Sequence, residues 1–308
     1  MDVSAVMVTF RRAWSLPFAL ESLAAQSHRP DEVIVVLKPS GDGSEEIIKN
    51  YEAKLPIKSL IQTKGNFTDA VEMGYSSASH SLVLFMDDDA VAHKEWVERY
   101  VRFFSENEDA GGASGMTYKG YFSNDDVKLT QIEAYSETFA RGGPHRLPLK
   151  AYEGYCGWIS KSGFTGKKPC DSPIIRSAFL VGANMAWRKE AIERCPLSRA
   201  FHRSRIGFSN EYFLAYCSRI RGYNTYELRD PNIAPIVWHL QHSDSLTRRP
   251  SSWKEFWIHY DRVANYWRLK MLNADVSFYA YLIALAASMR RKPLPRILAT
   301  LYGLAVRA

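Results

Sequence analysis

Asp87, Asp88 and Asp89 stand together at the end of the apolar run Ser81-Leu82-Val83-Leu84-Phe85-Met86. A run of that length and composition predicts a strand buried on both faces. Carboxylates at its end set negative charge against a low-dielectric core, which is costly unless a cation or a donor-rich ligand neutralises it. Magnesium and manganese prefer oxygen ligands and leave positions open for phosphate oxygens. The triplet is therefore a candidate metal–diphosphate site. The competing reading is an acidic turn that ends the strand and caps a helix expected from about His93 to Phe104.

The elements that must carry this cluster are legible as an alternation. Ser4–Phe10 reads as a strand and Ala13–Gln26 as a helix with Leu16, Ala19, Leu20 and Leu23 on one face. A second strand follows at Glu32–Val36, a helix from Ser44 to about Lys54, a third strand at Ile57–Gln62 and a helix at Phe67–Ser77. Such alternation with short connections predicts right-handed βαβ crossovers and an α/β fold with a mostly parallel central sheet. Ligands of such sheets bind outside the carboxyl ends of the strands. Thr9, Lys38 and Asp87–Asp89 all fall at those ends.

The middle of the chain is less regular. Residues 111–176 read as loops, short strands and one helix at about Leu129–Phe139. A strand is expected at Phe179–Trp187, a short helix at Lys189–Arg194, a helix at Asn210–Arg221 closed by Gly222, and a last strand at Ile236–Trp238 reaching His239. Beyond Pro250, Trp253, Phe256, Trp257, Tyr260, Val263 and Trp267 recur at helical spacing, and a second helical run covers Val276–Met289.

The 308 residues contain 46% hydrophobic residues, enough for a sizeable core. Cys156, Cys170, Cys195 and Cys217 lack the short paired spacing of a zinc or redox motif and are expected to be reduced, intracellular thiols. A bridge between Cys156 and Cys170 stays open. No secretory signal and no apolar run long enough to span a bilayer is visible. From Leu246 onward, 11 Lys/Arg stand against 3 Asp/Glu, a net of +8 in a chain whose total is +7. This basic, Trp-rich tail suits an anionic membrane surface or a pair of helices packed over the preceding domain. A nucleic-acid partner is not expected, because no nucleic-acid motif accompanies the charge.

Five segments in order resemble the family 2 nucleotide-sugar glycosyltransferases of the GT-A (Rossmann-like) fold. They are Val6–Arg12, Ala19–Ser27 with Pro30–Val36, Lys64-Gly65-Asn66 with Ala70 and Gly74, Phe85–Asp89 as a DxD motif, and Gly222-Tyr223 through His239. The resemblance covers about residues 3–242. It implies a catalytic domain at 1–245, with a nucleotide-binding half to about residue 110 and an acceptor half from about 111, followed by a helical extension at 246–308. Two departures stand out. The stretch where many members carry a nucleotide-reading acid is Leu37–Asp42 here, so that either Asp42 substitutes or the base is recognised differently. The usual Glu-Asp pair is Asn210-Glu211.

What the resemblance implies is a metal-dependent, inverting hexosyl transfer from a nucleotide-sugar to a glycan or lipid-linked acceptor. Asp87, Asp89 and His239 would hold Mn2+ or Mg2+, with His242 a competitor for the histidine role. Glu211 would be the general base, the alternative being a carboxylate favoured by a helix N-terminus. Thr9, Phe10, Arg11, Lys38, Asp42, Lys64, Asn66, Asp69, Asp87, Asp88 and Asn184 would contact nucleotide or sugar. Trp187 and Gly182–Asn184 would shape the pocket. The expected place is cytoplasmic, peripheral to the inner face of the cell membrane. The rivals are a polyprenyl-phosphate sugar synthase and a non-catalytic nucleotide- or glycan-binding protein.

Overall fold

A computed structural model describes residues 1–123, 126–134, 145–242, 251–289 and 294–305. The N-terminal alternation folds as expected: β1 (Val3–Thr9), α1 (Leu16–Ala24), β2 (Glu32–Leu37), α2 (Ser44–Tyr51), β3 (Ile57–Ile61), α3 (Phe67–Ser77) and β4 (Leu82–Met86). The apolar runs of β1, β2 and β4 are buried almost throughout, because helices cover both faces of their sheet. At the start of α3, Asn66 and Asp69 form a reciprocal capping box. Gly74 lets that helix sit directly on β1, since a Cβ there would meet Val6 at 2.5 Å.

The chain continues through β5 (Ala90–Ala92), α4 (Trp96–Glu106), β6 (Ala110–Ser114), β7 (Met116–Ser123) and β8 (Asp126–Glu133). A 3-10 turn at Lys150–Tyr152 leads to β9 (Gly157–Ile159), β10 (Thr165–Lys167) and β11 (Ile174–Arg176). Then follow β12 (Asn184–Arg188), α5 (Lys189–Ile192), α6 (Leu197–Phe201), α7 (Asn210–Ile220), β13 (Asn224–Leu228) and β14 (Ile236–Gln241). The C-terminal part is α8 (Ser252–Met271), α9 (Phe278–Met289) and α10 (Leu294–Ala305).

The central sheet has eight strands in the order β11-β13-β6-β12-β4-β1-β2-β3. β3, β2, β1 and β4 run parallel, and β12 enters antiparallel between β4 and β6. A second sheet, β5-β14-β7-β8, stands beside it. The Asp87–Asp89 turn is the passage from one sheet to the other, leaving β4 and entering β5.

Several expectations are corrected. Leu129–Glu133 belongs to β8, paired with β7, and not to a helix; residues 135–139 of that expectation lie outside the described residues. Cross-strand pairing there overrides the local pattern. The strand expected over Phe179–Trp187 begins only at Asn184, because Val181–Asn184 is a turn whose Asn184 N–H donates to the Val181 carbonyl. α10 was not anticipated, since Arg290–Pro293 reads as an end.

The cysteines are not free. Cys156 is bonded to Cys170 and Cys195 to Cys217. The β9–β10 hairpin returns Lys168 to the backbone carbonyl of Cys156, and the turn after α5 sets Cys195 against α7. The argument from reduced thiols to an intracellular place falls with them.

α8 is built into the body of the protein. Asp261 and Arg268 are both buried and bonded at 2.6 Å. The second oxygen of Asp261 accepts from the Ser204 hydroxyl and the Phe208 N–H, while Arg268 donates to the Ala200 carbonyl and lies on the Phe201 ring. α8 therefore fixes the turn that leads into α7. Removing one partner of a buried, fully bonded pair leaves the other uncompensated. Arg268→Leu is expected to lose about 3–5 kcal/mol of stability, measured by urea denaturation.

Candidate active site

The site forms where the two sheets meet. Register brings its parts together: on β14, His239 stands opposite Ala90 of β5, immediately after the aspartate turn. His239 Nε2 thereby lies 3.1 Å from Asp87 Oδ2 and 3.1 Å from Asp89 Oδ1. Three residues on, His242 Nε2 is 2.5 Å from Asp89 Oδ2. Asp89 is thus held between two imidazoles. Ligand atoms of Asp87, Asp89 and His239 all fall within 4.8 Å of one another, and two carboxylates with one imidazole suit a divalent cation such as Mn2+.

Asp88 and Asp89 are buried while Asp87 is half-exposed. Burial, reinforced by the Asp89 charge, pushes Asp88 well above the usual carboxylate range; Arg12 and the Thr9 hydroxyl pull it back. Arg12 was overlooked as a site residue. Its Nε lies 3.5 Å from Asp88 Oδ1 and 3.9 Å from Asp89 Oδ2. It reaches them because Arg11 takes a left-handed backbone conformation, φ 59°, at the turn after β1. A Phe-Arg-Arg run after a strand was the available signal.

A cavity of about 650 Å³ runs from the aspartates to the C-terminal helices. Asp87, Asp88, Asp89, Arg12 and His239 line one part; Phe179–Ala183 and Ile206–Tyr212 line another. His259, Arg262 and Asn265 of α8, Ser288 of α9 and Arg296 of α10 complete it. Sequence reasoning had placed none of these five in a site, because Arg and Asn on a helix read as solvated residues.

Glu211 sits in the first turn of α7 and lines this cavity. Burial pushes it up to about 7; its own backbone N–H and Asn210 oppose this, and the Asp87 charge adds to it. Gly182 leaves it room, since a Cβ there would stand 2.5 Å from Glu211 Oε1. The result is a carboxyl poised near neutrality, facing the same space as the aspartates.

The other expected residues separate into two groups. Phe10 is 42% exposed, with the Arg11 guanidinium 5.0 Å and the Lys38 ammonium 5.7 Å from its ring centre, and Thr9 lies beside Asp88. Lys38 also donates to the Gly65 carbonyl, and Lys64 is exposed next to it. Asp42, by contrast, accepts from the backbone of Ala13 and Ser44 and from the Ser40 and Ser44 hydroxyls, which hold it at about 2. Asn66 and Asp69 are engaged in capping α3, with Asn66 also bonded to Phe201 and Ser204 carbonyls.

Asn184 is a correction. It is fully buried, accepts from Trp96 Nε1 and the Tyr100 hydroxyl, and donates to the Met116 and Pro235 carbonyls. That exhausts its donors and leaves nothing for a ligand. Trp187 likewise packs in the core against Gly112 and does not line the cavity.

An eight-stranded mixed sheet with an acid-tipped strand beside a second sheet defines a GT-A transferase fold. Similar folds include Staphylococcus aureus TarS 1-349 in complex with UDP-GlcNAc (TM-score 0.58, 16% identity, 99% of this chain and 80% of that one). GalNAc-T7 with UDP, GalNAc and Mn2+ has a TM-score of 0.60 at 12% identity, over 94% and 57% of the two chains. The mannosyltransferase PcManGT of Pyrobaculum calidifontis with GDP-Man and Mn2+ has a TM-score of 0.54 at 13% identity, over 99% and 80%. The family model for glycosyl transferase family 2 matches residues 4–165, more than half of the chain, and the chain belongs to that family.

Among curated relatives, the hyaluronan synthase of Pasteurella multocida is 34% identical over 116 residues, covering 35% of this chain and 12% of that protein. An uncharacterized glycosyltransferase of Nostoc sp. is 27% identical over 113 residues, covering 36% and 35%. The chain therefore matches about a third or less of the length of these relatives.

Asp89→Ala removes the carboxylate that both imidazoles share. It is expected to weaken Mn2+ binding more than about tenfold, read from free Mn2+ by electron paramagnetic resonance with a nucleoside diphosphate present. Unchanged binding would return the triplet to being an acidic strand end.

Proposed function

We propose that this chain transfers a hexosyl group, with inversion, from a nucleoside-diphosphate sugar to a hydroxyl of a glycan or lipid-linked acceptor. The observation that carries this reading is a carboxyl near neutral pKa facing the same cavity as a two-carboxylate, one-imidazole cluster. Asp87, Asp89 and His239 would hold Mn2+ or Mg2+, and His242 would orient Asp89. A divalent cation supplies Lewis-acid stabilisation to a departing diphosphate. Thr9, Phe10, Arg11, Lys38 and Lys64 would lie along the nucleotide, with exposed Phe10 offering a face to its base.

Glu211 then takes the proton of the attacking hydroxyl as its oxygen bonds to the anomeric carbon. The bond from that carbon to the diphosphate oxygen breaks, and the electron pair leaves with the diphosphate. A single displacement of this kind inverts the anomeric centre. A phosphate acceptor is already ionised and needs no base, so a raised Glu211 favours a hydroxyl acceptor over the polyprenyl-phosphate reading. A binding protein without catalysis leaves the position of Glu211 unexplained.

The base must be ionised to act. Activity is expected to be low below pH 6 and to rise through about pH 7 as Glu211 loses its proton. Glu211→Gln is expected to lower kcat by about 10²–10⁴ and to abolish that limb, while leaving nucleotide binding intact. Transfer that is independent of pH between 5 and 9 would remove Glu211 from the role.

The C-terminal helices suggest where the acceptor is met. No helix among the described residues is long and apolar enough to cross a membrane. Yet α9 carries no charged residue and exposes Phe278, Tyr279, Leu282 and Ile283, while α10 exposes Leu294, Leu298 and Leu301. Exposed apolar side chains on both helices, with a net charge of +8 in their segment, fit the surface of an anionic bilayer. The protein is expected to sediment with phosphatidylglycerol-containing vesicles and not with phosphatidylcholine alone. Leu282→Glu with Leu298→Glu should abolish this. Self-association of the wild type, relieved by the same changes, would instead assign the face to a second copy.

A further inference from the structure

The α8 wall of the cavity contains two features that the transfer reaction does not use. Arg262 of α8 lines it, with its guanidinium 5.0 Å from the centre of the Phe208 ring. Among the described residues no carboxylate pairs with it: Asp261, next in sequence, is committed to Arg268, and Glu255 is bonded to Arg296. The Arg262 side chain is exposed and lines the cavity, so its charge is available to a bound group.

One turn along the same helix face is Asn265, 3% exposed. Its Nδ2 donates to the Gly163 carbonyl at 2.6 Å, which fixes the amide, and its Oδ1 has no partner. A buried, unbonded acceptor on a cavity wall calls for a donor from a ligand. Arg262 and Asn265 together thus ask for an anion and a hydroxyl.

Both residues share the cavity with Glu211. Glu211 and Tyr212 of α7 line the same cavity as Asp87 and Arg262. In a displacement at the anomeric carbon the nucleophile enters opposite the leaving diphosphate. The side of Glu211 away from the aspartates is therefore the acceptor's side.

We propose that Arg262 and Asn265 form an acceptor subsite that selects a hydroxyl-bearing acceptor carrying an anionic group, a phosphate or a sugar carboxylate. This rests on the glycosyl-transfer reading for the role of the bound molecule. Arg262 binds the anion through its guanidinium, and Asn265 Oδ1 accepts from a hydroxyl of the same molecule. The acceptor is thereby set with a second hydroxyl toward Glu211.

The test uses the full chain with Mn2+ and whichever of UDP or GDP binds, so that the nucleotide site is filled. Glycerol 3-phosphate and glucuronate are titrated against neutral glycerol and glucose by ligand-observed NMR. Each anionic probe that represents the acceptor's chemistry is expected to bind at least about tenfold more tightly than its neutral counterpart. That preference should vanish in Arg262→Gln and survive in part in Arg262→Lys, with nucleotide binding unchanged in both. A preference for glycerol 3-phosphate assigns a phosphate, and one for glucuronate assigns a sugar acid. Equal binding of anionic and neutral probes overturns the subsite, as does a preference untouched by Arg262→Gln in protein whose circular dichroism is native. If neither nucleotide binds, the donor reading fails on its own, and the same titrations on nucleotide-free protein still decide the anion preference.

Discussion

The structure is organised around negative charge that the fold places where water cannot fully reach it. β4 is buried along its whole length, and the turn that ends it contains three carboxylates, two of them buried. Such a turn is stable only with compensation, and every neighbouring element supplies some. β1 delivers Arg12 by way of the reversed backbone at Arg11. β14 delivers His239 and His242 through its pairing with β5. The raised proton affinity of Asp88 shows that the compensation is partial, which is the condition for a site that accepts a cation.

A second consequence concerns how Glu211 is held. Glu211 begins a helix whose approach is set by the turn at 204–208, and that turn is bonded to Asp261 of α8. The basic tail is therefore a part of the catalytic body as well as a surface. α8 fixes the turn before Glu211 from one side and lines the cavity from another, while α9 and α10 turn their apolar faces outward. Positioning and surface contact are assigned to different faces of one helical segment.

How much of this was legible in the sequence differs by residue. The aspartates were visible because an uninterrupted apolar run has no reason to end in three carboxylates. His239 was reachable only by resemblance, for it is brought to Asp87 by strand register over a separation of 152 residues. Asn184 was misread because a buried asparagine in a strand looks the same whether its partners are a ligand or the Trp96 and Tyr100 of a neighbouring helix. The helical period of Trp253–Trp267 was legible and packing over the preceding domain was one of its two readings, but the anchoring pair was not, since Asp261 and Arg268 read as ordinary solvated charges. Arg262 and Asn265 were invisible for the same reason. The cysteines paired across 14 and 22 residues, at separations that only the tertiary path explains.

The Cys195–Cys217 bridge has a topological effect. It closes a covalent ring that contains the turn at 204–208, Glu211 and most of α7. A protease that nicks the exposed surface near His202 or Arg203 would cut the chain without releasing either side, because the cystine still joins them. Such a nicked molecule would migrate as one piece until reduced and as two afterwards. The segment bearing Glu211 is in this sense fastened twice, once by α8 and once by sulfur.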